Sequence, residues 1–269
     1  MSLIARKEIE KIQRRNDILN AAEKLFFSKG YENVSLKDIA KEVKLGRSTL
    51  YLYFENKEEL FFAVVLRGTR ILYKMINDKV KKGKSSFEKL AAFRDAYYEF
   101  SKEYPDYLKA YNYLLSGRFD LANIQQTEYR TGPFADSKLY YEYKNKFDEI
   151  YAKMLESSND NTTTNSILFS SKFTVSEYLN EILVLRREML NIFSSAVEQG
   201  KKEGIVKPDV NSVEVTVLQT LIANSIDNLP PDLKDLLESQ NITQEEFLSD
   251  VGELMGNMIS NRKNIKKTK

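Results

Sequence analysis

The sequence contains no cysteine and no histidine, only 10 glycines and 5 prolines, and no uninterrupted apolar run longer than the 7 residues from Leu60 to Leu66. Each absence removes a class of function. Without cysteine there are no disulfides, thiolate nucleophiles or thiolate metal sites. Without histidine the chain lacks imidazole ligands and the side chain that most often moves protons near neutral pH. A run of 7 residues falls far short of the roughly 20 that a membrane-spanning helix requires, so no membrane association is expected. Residues 1–13 mix charges of both signs and lack the apolar centre of a secretory signal, which makes a cytoplasmic location the expectation. The 39 Asp and Glu are scattered among 41 Lys and Arg, with no D-x-D-x-D-G loop, G-x-S-x-G elbow or G-x-x-x-x-G-K-[ST] loop. Neither catalysis nor a bound metal or cofactor is therefore expected. A helical enzyme using carboxylates and tyrosines is the first rival to be tested, by turnover or by metal retained through dialysis.

What is present indicates a globular protein: 269 residues, 42% hydrophobic and 30% charged, enough for one large or two modest domains. Sparse Gly and Pro, with apolar residues recurring at three and four, predict an all-α chain without a strand ladder. Ile18, Leu19, Ala22, Leu25 and Phe26 form one stripe, placing a first helix over Glu8 to Ser28 with Gly30 as its stop. Ser35 with Asp38 is a carboxylate version of the capping box, opening a second helix whose face is Leu36, Ile39, Ala40 and Val43. After Lys44-Leu45-Gly46 a third helix covers Arg47 to Phe54, with Leu50 and Phe54 on one side. This is a helix, a tight turn and a helix. Asn56 with Glu59 caps a fourth helix that runs towards Lys79. Further helices are predicted over Ser86–Lys102, Pro105–Ser116, Asp136–Ser157, Val175–Glu203, Asn211–Asp227 and Thr243–Arg262, with a loop or turn over Ser157–Thr174.

The pair at 35–54 fits the geometry in which one helix braces another that lies in the DNA major groove. Its non-core positions Arg47, Ser48, Thr49, Tyr51 and Tyr53 all donate hydrogen bonds. Arginine can fork onto guanine, while hydroxyls reach phosphate oxygens. Lys37, Lys44 and Lys57, with the N-terminal Arg6, Lys7, Lys11, Arg14 and Arg15, supply positive charge around them. Residues 1–54 hold 11 Lys and Arg against 7 Asp and Glu, a surplus of 4, whereas the whole chain has a net charge of +2. Positive charge is thus concentrated where backbone neutralisation needs it. Taken one at a time, the tyrosines could simply pack and the basic residues form a solvated face; jointly the pattern favours DNA.

The stretch V-S-L-K-D-I-A-K-E-V-K-L-G-R-S-T-L-Y-L-Y-F-E-N-K-E-E-L from Val34 to Leu60, with Ala21, Phe26, Gly30 and Tyr31 before it, resembles the TetR family of bacterial transcriptional regulators. The resemblance covers Ile12 to Val65. It implies an N-terminal three-helix, helix-turn-helix DNA-binding domain followed by a larger helical ligand-binding and dimerisation domain. On that reading residues 1–56 form the first, 57–262 the second and 263–269 a basic tail. It also implies that Ser35 and Thr49 contact phosphates, Tyr51 and Tyr53 anchor the reader helix, Lys57 approaches a phosphate from the fourth helix, and Arg47 and Ser48 face bases. Lys44 stands where the family commonly has a turn glycine, and Gly46 where it has a capping serine or threonine; glycine can still serve as an N-cap.

Between Phe93 and Tyr151, 16 of 59 residues are Tyr or Phe, over twice the 12% of the whole chain. Tyrosine combines an apolar body with a polar tip, a composition suited to a pocket for an organic ligand and equally to a core built with rings. Tyr97, Tyr111, Leu115, Phe119, Tyr143, Phe147 and Tyr178 are the candidate lining residues. The resemblance implies an inducer site here without naming the small molecule. Val213, Val217, Leu221, Phe247, Val251, Leu254 and Met258 form apolar stripes, with Ala223, Gly252 and Gly256 allowing close approach, which predicts a homodimer through a four-helix bundle. The functional expectation is a ligand-responsive, dimeric repressor released from a palindromic operator on double-stranded DNA. Its alternative is a helical adaptor or non-catalytic ligand-binding protein that has lost operator binding.

Overall fold

The computed structural model describes residues 3–119, 176–226 and 229–261. Ten α-helices make up these residues almost entirely: α1 (Leu3–Lys29), α2 (Leu36–Glu42), α3 (Arg47–Tyr51), α4 (Lys57–Val80), α5 (Ser86–Glu103), α6 (Pro105–Leu115), α7 (Glu177–Lys202), α8 (Ser212–Ile226), α9 (Pro231–Ser239) and α10 (Gln244–Ile259). Among the described residues the only β pairing is an isolated bridge between Val206 and Ser260. The fold is all-α, with a helix-turn-helix at its N-terminus and a longer helical part after it. Tyr143, Phe147, the helix expected over Asp136–Ser157, the loop expected over Ser157–Thr174 and the basic tail 263–269 lie outside the described residues.

Local chemistry accounts for the element boundaries. The stripe of α1 is buried at Ile18, Leu19, Ala22, Leu25 and Phe26, and the helix stops where Gly30 adopts φ +78° and its amide bonds Phe26 O at 2.9 Å. Pro105 opens α6, where a missing amide hydrogen is no loss. Thr243 and Glu246 form a full capping box at α10. In α4 the whole run Leu60 to Leu66 is buried, so this helix is apolar all round where neighbours enclose it. One helix was not expected: α9 opens on Pro231 with Pro230 as its N-cap, in a first turn where a missing amide hydrogen is no loss.

The chain divides into two compact units, Met1–Arg70 with Asp106–Val184, and Ile71–Pro105 with Leu185–Lys269. The first has an aromatic core in which Phe26, Tyr31, Tyr113 and Phe119 surround Phe61, with ring centroids 4.7–5.8 Å from it. The second packs Phe193, Val197, Val206, Val215 and Met255 together, with Phe93 edge-on to Phe193 at 5.1 Å. Within it Ser86 donates its hydroxyl to Glu203 Oε2 at 2.6 Å, and its amide to the same oxygen at 3.1 Å.

Candidate nucleic-acid interface

The second helix of the reader begins with reciprocal hydrogen bonds. Ser35 N donates to Asp38 Oδ2 at 2.9 Å and Asp38 N donates to Ser35 Oγ at 3.3 Å. The Ser35 hydroxyl and amide hold the Asp38 carboxyl below the ordinary carboxylate range. Leu36, Ile39 and Ala40 of α2 face inward and are buried. The helix then ends in a Schellman motif: Leu45 N bonds Ala40 O at 2.9 Å, Lys44 N bonds Lys41 O at 3.2 Å, and Lys44 occupies the left-handed region at φ +56°. The turn glycine of the family is replaced, yet the backbone keeps the conformation that favours glycine.

Gly46 adopts extended backbone before α3 and its carbonyl accepts the amides of Thr49 at 3.0 Å and Leu50 at 3.2 Å. Leu50 is 0% exposed and Phe54 3%, so these two side chains fix which face of α3 turns outward. That outward face carries Arg47, Ser48, Tyr51 and Leu52, with Tyr51 41% and Leu52 58% exposed. Thr49 and Tyr53 are half-buried on its flanks. Arg47 Nη2 donates to Tyr51 Oη at 3.0 Å, and the guanidinium carbon lies 5.6 Å from the Tyr51 ring centroid. This pair, one helical turn apart, ties the planar fork to the exposed face.

The other candidate contacts are placed as follows. Ser35, Lys37 and Lys44 are exposed around the turn, with the Ser35 hydroxyl donating to Asp38 Oδ2 at 2.5 Å. Lys57 is half-buried: its ammonium donates to Tyr31 O at 3.2 Å and lies 4.0 Å from the Tyr31 ring centroid. Of the N-terminal basic residues, Arg14 is exposed, whereas Arg15 is engaged by rings and a hydroxyl within the first unit. The structure thus places Ser35 at the N-cap of α2, Lys37 within it, Lys44 in the turn, Arg47, Ser48, Thr49 and Tyr51 in α3, Tyr53 just after it and Lys57 at the start of α4.

The candidate ligand-lining residues are more dispersed. Tyr111 is buried in α6, Leu115 is half-buried at its end, and Phe119 packs among Tyr31, Phe61, Phe62 and Tyr113 in the core of the first unit. Tyr178 belongs to the same unit, its ring 6.5 Å from Phe54. Tyr97 belongs to the second unit, where its hydroxyl donates to Asn224 Oδ1 at 3.3 Å. Among the described residues no group of three or more carboxylates is placed to hold a metal ion, and no helix is long and apolar enough to cross a membrane.

Two residues near the reader carry chemistry that sequence reasoning passed over. Leu52 is the most exposed large apolar side chain of the reader; its position two residues after buried Leu50 was the available signal, because two steps on a helix reverse the face. Glu59 donates its amide to Asn56 Oδ1 at 2.8 Å, as the expected cap requires, but its carboxyl is buried and burial pushes it up to about 7. One of its oxygens, Oε1, is buried without a hydrogen-bond partner. No local pattern distinguishes such a carboxyl from a solvated capping glutamate.

Known regulators are similar to this chain in sequence and in fold. Residues 18–64 match the family model of bacterial regulatory proteins of the tetR family. An HTH-type transcriptional regulator of Staphylococcus aureus (strain bovine RF122 / ET3-1) is 27% identical over 192 residues, covering 70% of this chain and 96% of that protein. Another from strain USA300 is 39% identical over 69 residues, covering 24% of this chain and 37% of the relative. A bacterial regulatory protein in the tetR family from Rhodococcus RHA1 shares the fold with a TM-score of 0.58 at 15% identity, covering 91% of this chain and 96% of its own. The ketosteroid transcriptional regulator of Mycobacterium tuberculosis does so with a TM-score of 0.54 at 14% identity, covering 92% and 95%. Residues 18–64 thus carry the DNA-binding domain of the tetR family of bacterial regulatory proteins, and the chain as a whole is similar in sequence and fold to regulators of that family.

Proposed function

We propose that this DNA-binding regulator acts in the cytoplasm as a homodimeric repressor, with α3 of each copy in the major groove of a palindromic operator, and that a small organic molecule releases it. The carrying observation is the division of α3 into two faces. Leu50 and Phe54 are sunk in the core, while Arg47, Ser48 and Tyr51 project outward with donors suited to base edges and phosphates. Residues 1–56 serve as the reader and 57–262 carry ligand and dimer functions.

Dimerisation is supported by apolar side chains left exposed on α8 and α10: Val217, Leu218 and Leu221, and Leu254 and Met258. Gly256 has open space where a side chain would be, whereas the space at Gly252 is taken by Arg94. A single five-residue reader helix touches too little DNA, and a two-fold pair on two half-sites doubles the contacts. Ligand response is supported by the abundance of rings and by the Tyr98 hydroxyl of the second unit, buried without a hydrogen-bond partner, the kind of unmet polar atom a ligand satisfies.

The test is binding of the wild type and of Arg47→Ala to duplexes selected from a genome-wide footprint. The variant is expected to lose about 1–3 kcal/mol of specific affinity and to relax the preference at one base pair of each half-site, with unchanged melting. With about four phosphates neutralised per copy, the wild-type affinity should fall with log salt at a slope near −7. A slope near zero, or an unaltered variant, overturns the reading.

A further inference from the structure

α3 is too short to hold its own pose. It has five residues and no side-chain cap, so its orientation comes from what packs behind it. The start of α7 meets the elements that support it, contacting α1 once and α4 twice within six residues and placing the Tyr178 ring 6.5 Å from that of Phe54. Ser176 is 2% exposed, accepts the Leu179 amide at 3.2 Å as the cap of α7, and hydrogen-bonds the buried carboxyl of Glu59 in α4. Tyr178 accepts a hydrogen bond from Arg15 Nη2 of α1. The Arg15 guanidinium carbon lies 5.0 Å from the Phe54 ring centroid and 5.5 Å from that of Tyr178. Glu181 accepts both Nε and Nη2 of Arg70, each at 2.6 Å, a two-pronged ion pair with α4. Leu179, between these anchors, and Ile182, just after the last, are fully buried.

Phe54 is the link to the reader. Its amide bonds Leu50 O at 3.1 Å, so it closes the last turn after α3, and its ring is one of the two that Arg15 covers. Arginine suits this place because its flat, always charged guanidinium stacks on rings while its edge donates hydrogen bonds. Its charge is thereby directed to the inside of the reader's support instead of to DNA phosphates.

We propose that the first turns of α7 form a clasp that sets the pose of α3, with Arg15 and Tyr178 as positioning residues for DNA binding. This rests on the DNA-binding reading above. Any displacement of the start of α7 is then delivered at once to α1, to the end of α3 and to α4. Arg15 acts on DNA through Phe54 and not by touching it.

The test uses the full-length chain and two variants, Tyr178→Phe, which keeps the ring and removes the acceptor, and Arg15→Lys, which keeps the charge and removes the planar fork. In DNA-free protein, amide hydrogen exchange at Leu50, Tyr53 and Phe54 is expected to accelerate about tenfold, the equivalent of one hydrogen bond lost, while the amides of Ile18 and Val64 stay as they are. The ratio of operator to scrambled-duplex affinity should fall by a similar factor. Unchanged exchange at those three amides overturns the clasp. Uniform acceleration with lower melting also overturns it, since that marks a merely structural role. A reduced salt slope with unchanged exchange makes Arg15 a phosphate contact and overturns it as well. Selective acceleration in a protein whose wild type prefers no DNA supports the clasp on α3 and removes the DNA-binding reading instead.

Discussion

Residues 35–60 and residues 212–259 dispose of their apolar side chains in opposite ways. In the first segment Leu36, Ile39, Ala40, Leu50, Phe54 and Leu60 are all buried, and Leu52 alone among the large aliphatic side chains is left mostly outside. In the second, Val215, Ala223 and Met255 are buried, but Val217, Leu218, Leu221, Leu233, Leu236, Leu254 and Met258 are each exposed. The same helical material therefore presents two surfaces, one suited to a charged and hydrated partner and one to an apolar partner. The largest effect should come from reversing the second surface. Leu221→Glu combined with Leu254→Glu is expected to convert a dimer into a monomer in sedimentation equilibrium and to weaken operator binding at least about a hundredfold, because an unpaired charge would have to be buried. A dimer that survives both changes would show that this face meets no second copy.

How much of this was legible depended on range in the sequence. The cap at Ser35, the inward set Leu36, Ile39, Ala40 and the anchors Leu50 and Phe54 are set by neighbours three or four residues away, and periodicity finds them. The partnership of Arg15 with Tyr178 spans 163 residues and leaves no local mark, so Arg15 resembled any other basic residue beside the reader. Likewise nothing near Phe119 in the sequence shows that its ring stacks on Phe61, 58 residues earlier. Aromatic composition says that rings will be enclosed, but it does not say by what. α9, a helix not predicted, begins at Pro231, where the same ring that can end one helix begins another.

Within the reader segment, Glu59 is the exception to the rule of apolar inside and polar outside, and its titration sharpens the comparison. Burial, with the Glu55, Glu177 and Glu58 carboxylates nearby, pushes its carboxyl up to about 7, partly opposed by the Ser176 hydrogen bond. The folded chain therefore holds this proton at a pH where the unfolded chain, with an ordinary value of 4.5, has released it. The sign follows: the contribution of Glu59 to stability is full below about pH 4.5, falls as pH rises towards about 7, and is flat above. Glu59→Gln should remove this dependence and stabilise the protein at pH 8 by on the order of 2 kcal/mol, read as the difference between denaturant midpoints at pH 5 and pH 8. Equal pH profiles for the two proteins would mean that the carboxyl is solvated and the segment has no exception.

Lys44 is the corresponding exception in the backbone, and it separates the stability of the reader from its charge. At φ +56° its Cβ is crowded against the following carbonyl, which costs about 1–2 kcal/mol for a residue other than glycine. Glycine would relieve that strain and return part of the gain as unfolded-chain entropy, so Lys44→Gly should stabilise the protein by about 1 kcal/mol, or about 2–4 °C in Tm. The same change removes an exposed ammonium from the turn before α3. If that ammonium neutralises a phosphate, the slope of affinity against log salt loses about one phosphate's worth per copy, equally for operator and scrambled duplex. Arg47→Ala is expected to do the reverse, altering base preference without altering Tm. A more stable Lys44→Gly protein with an unchanged salt slope would leave the strained lysine without a role on DNA. A less stable one would show that the left-handed turn is held by contacts of the lysine stem stronger than the strain they oppose.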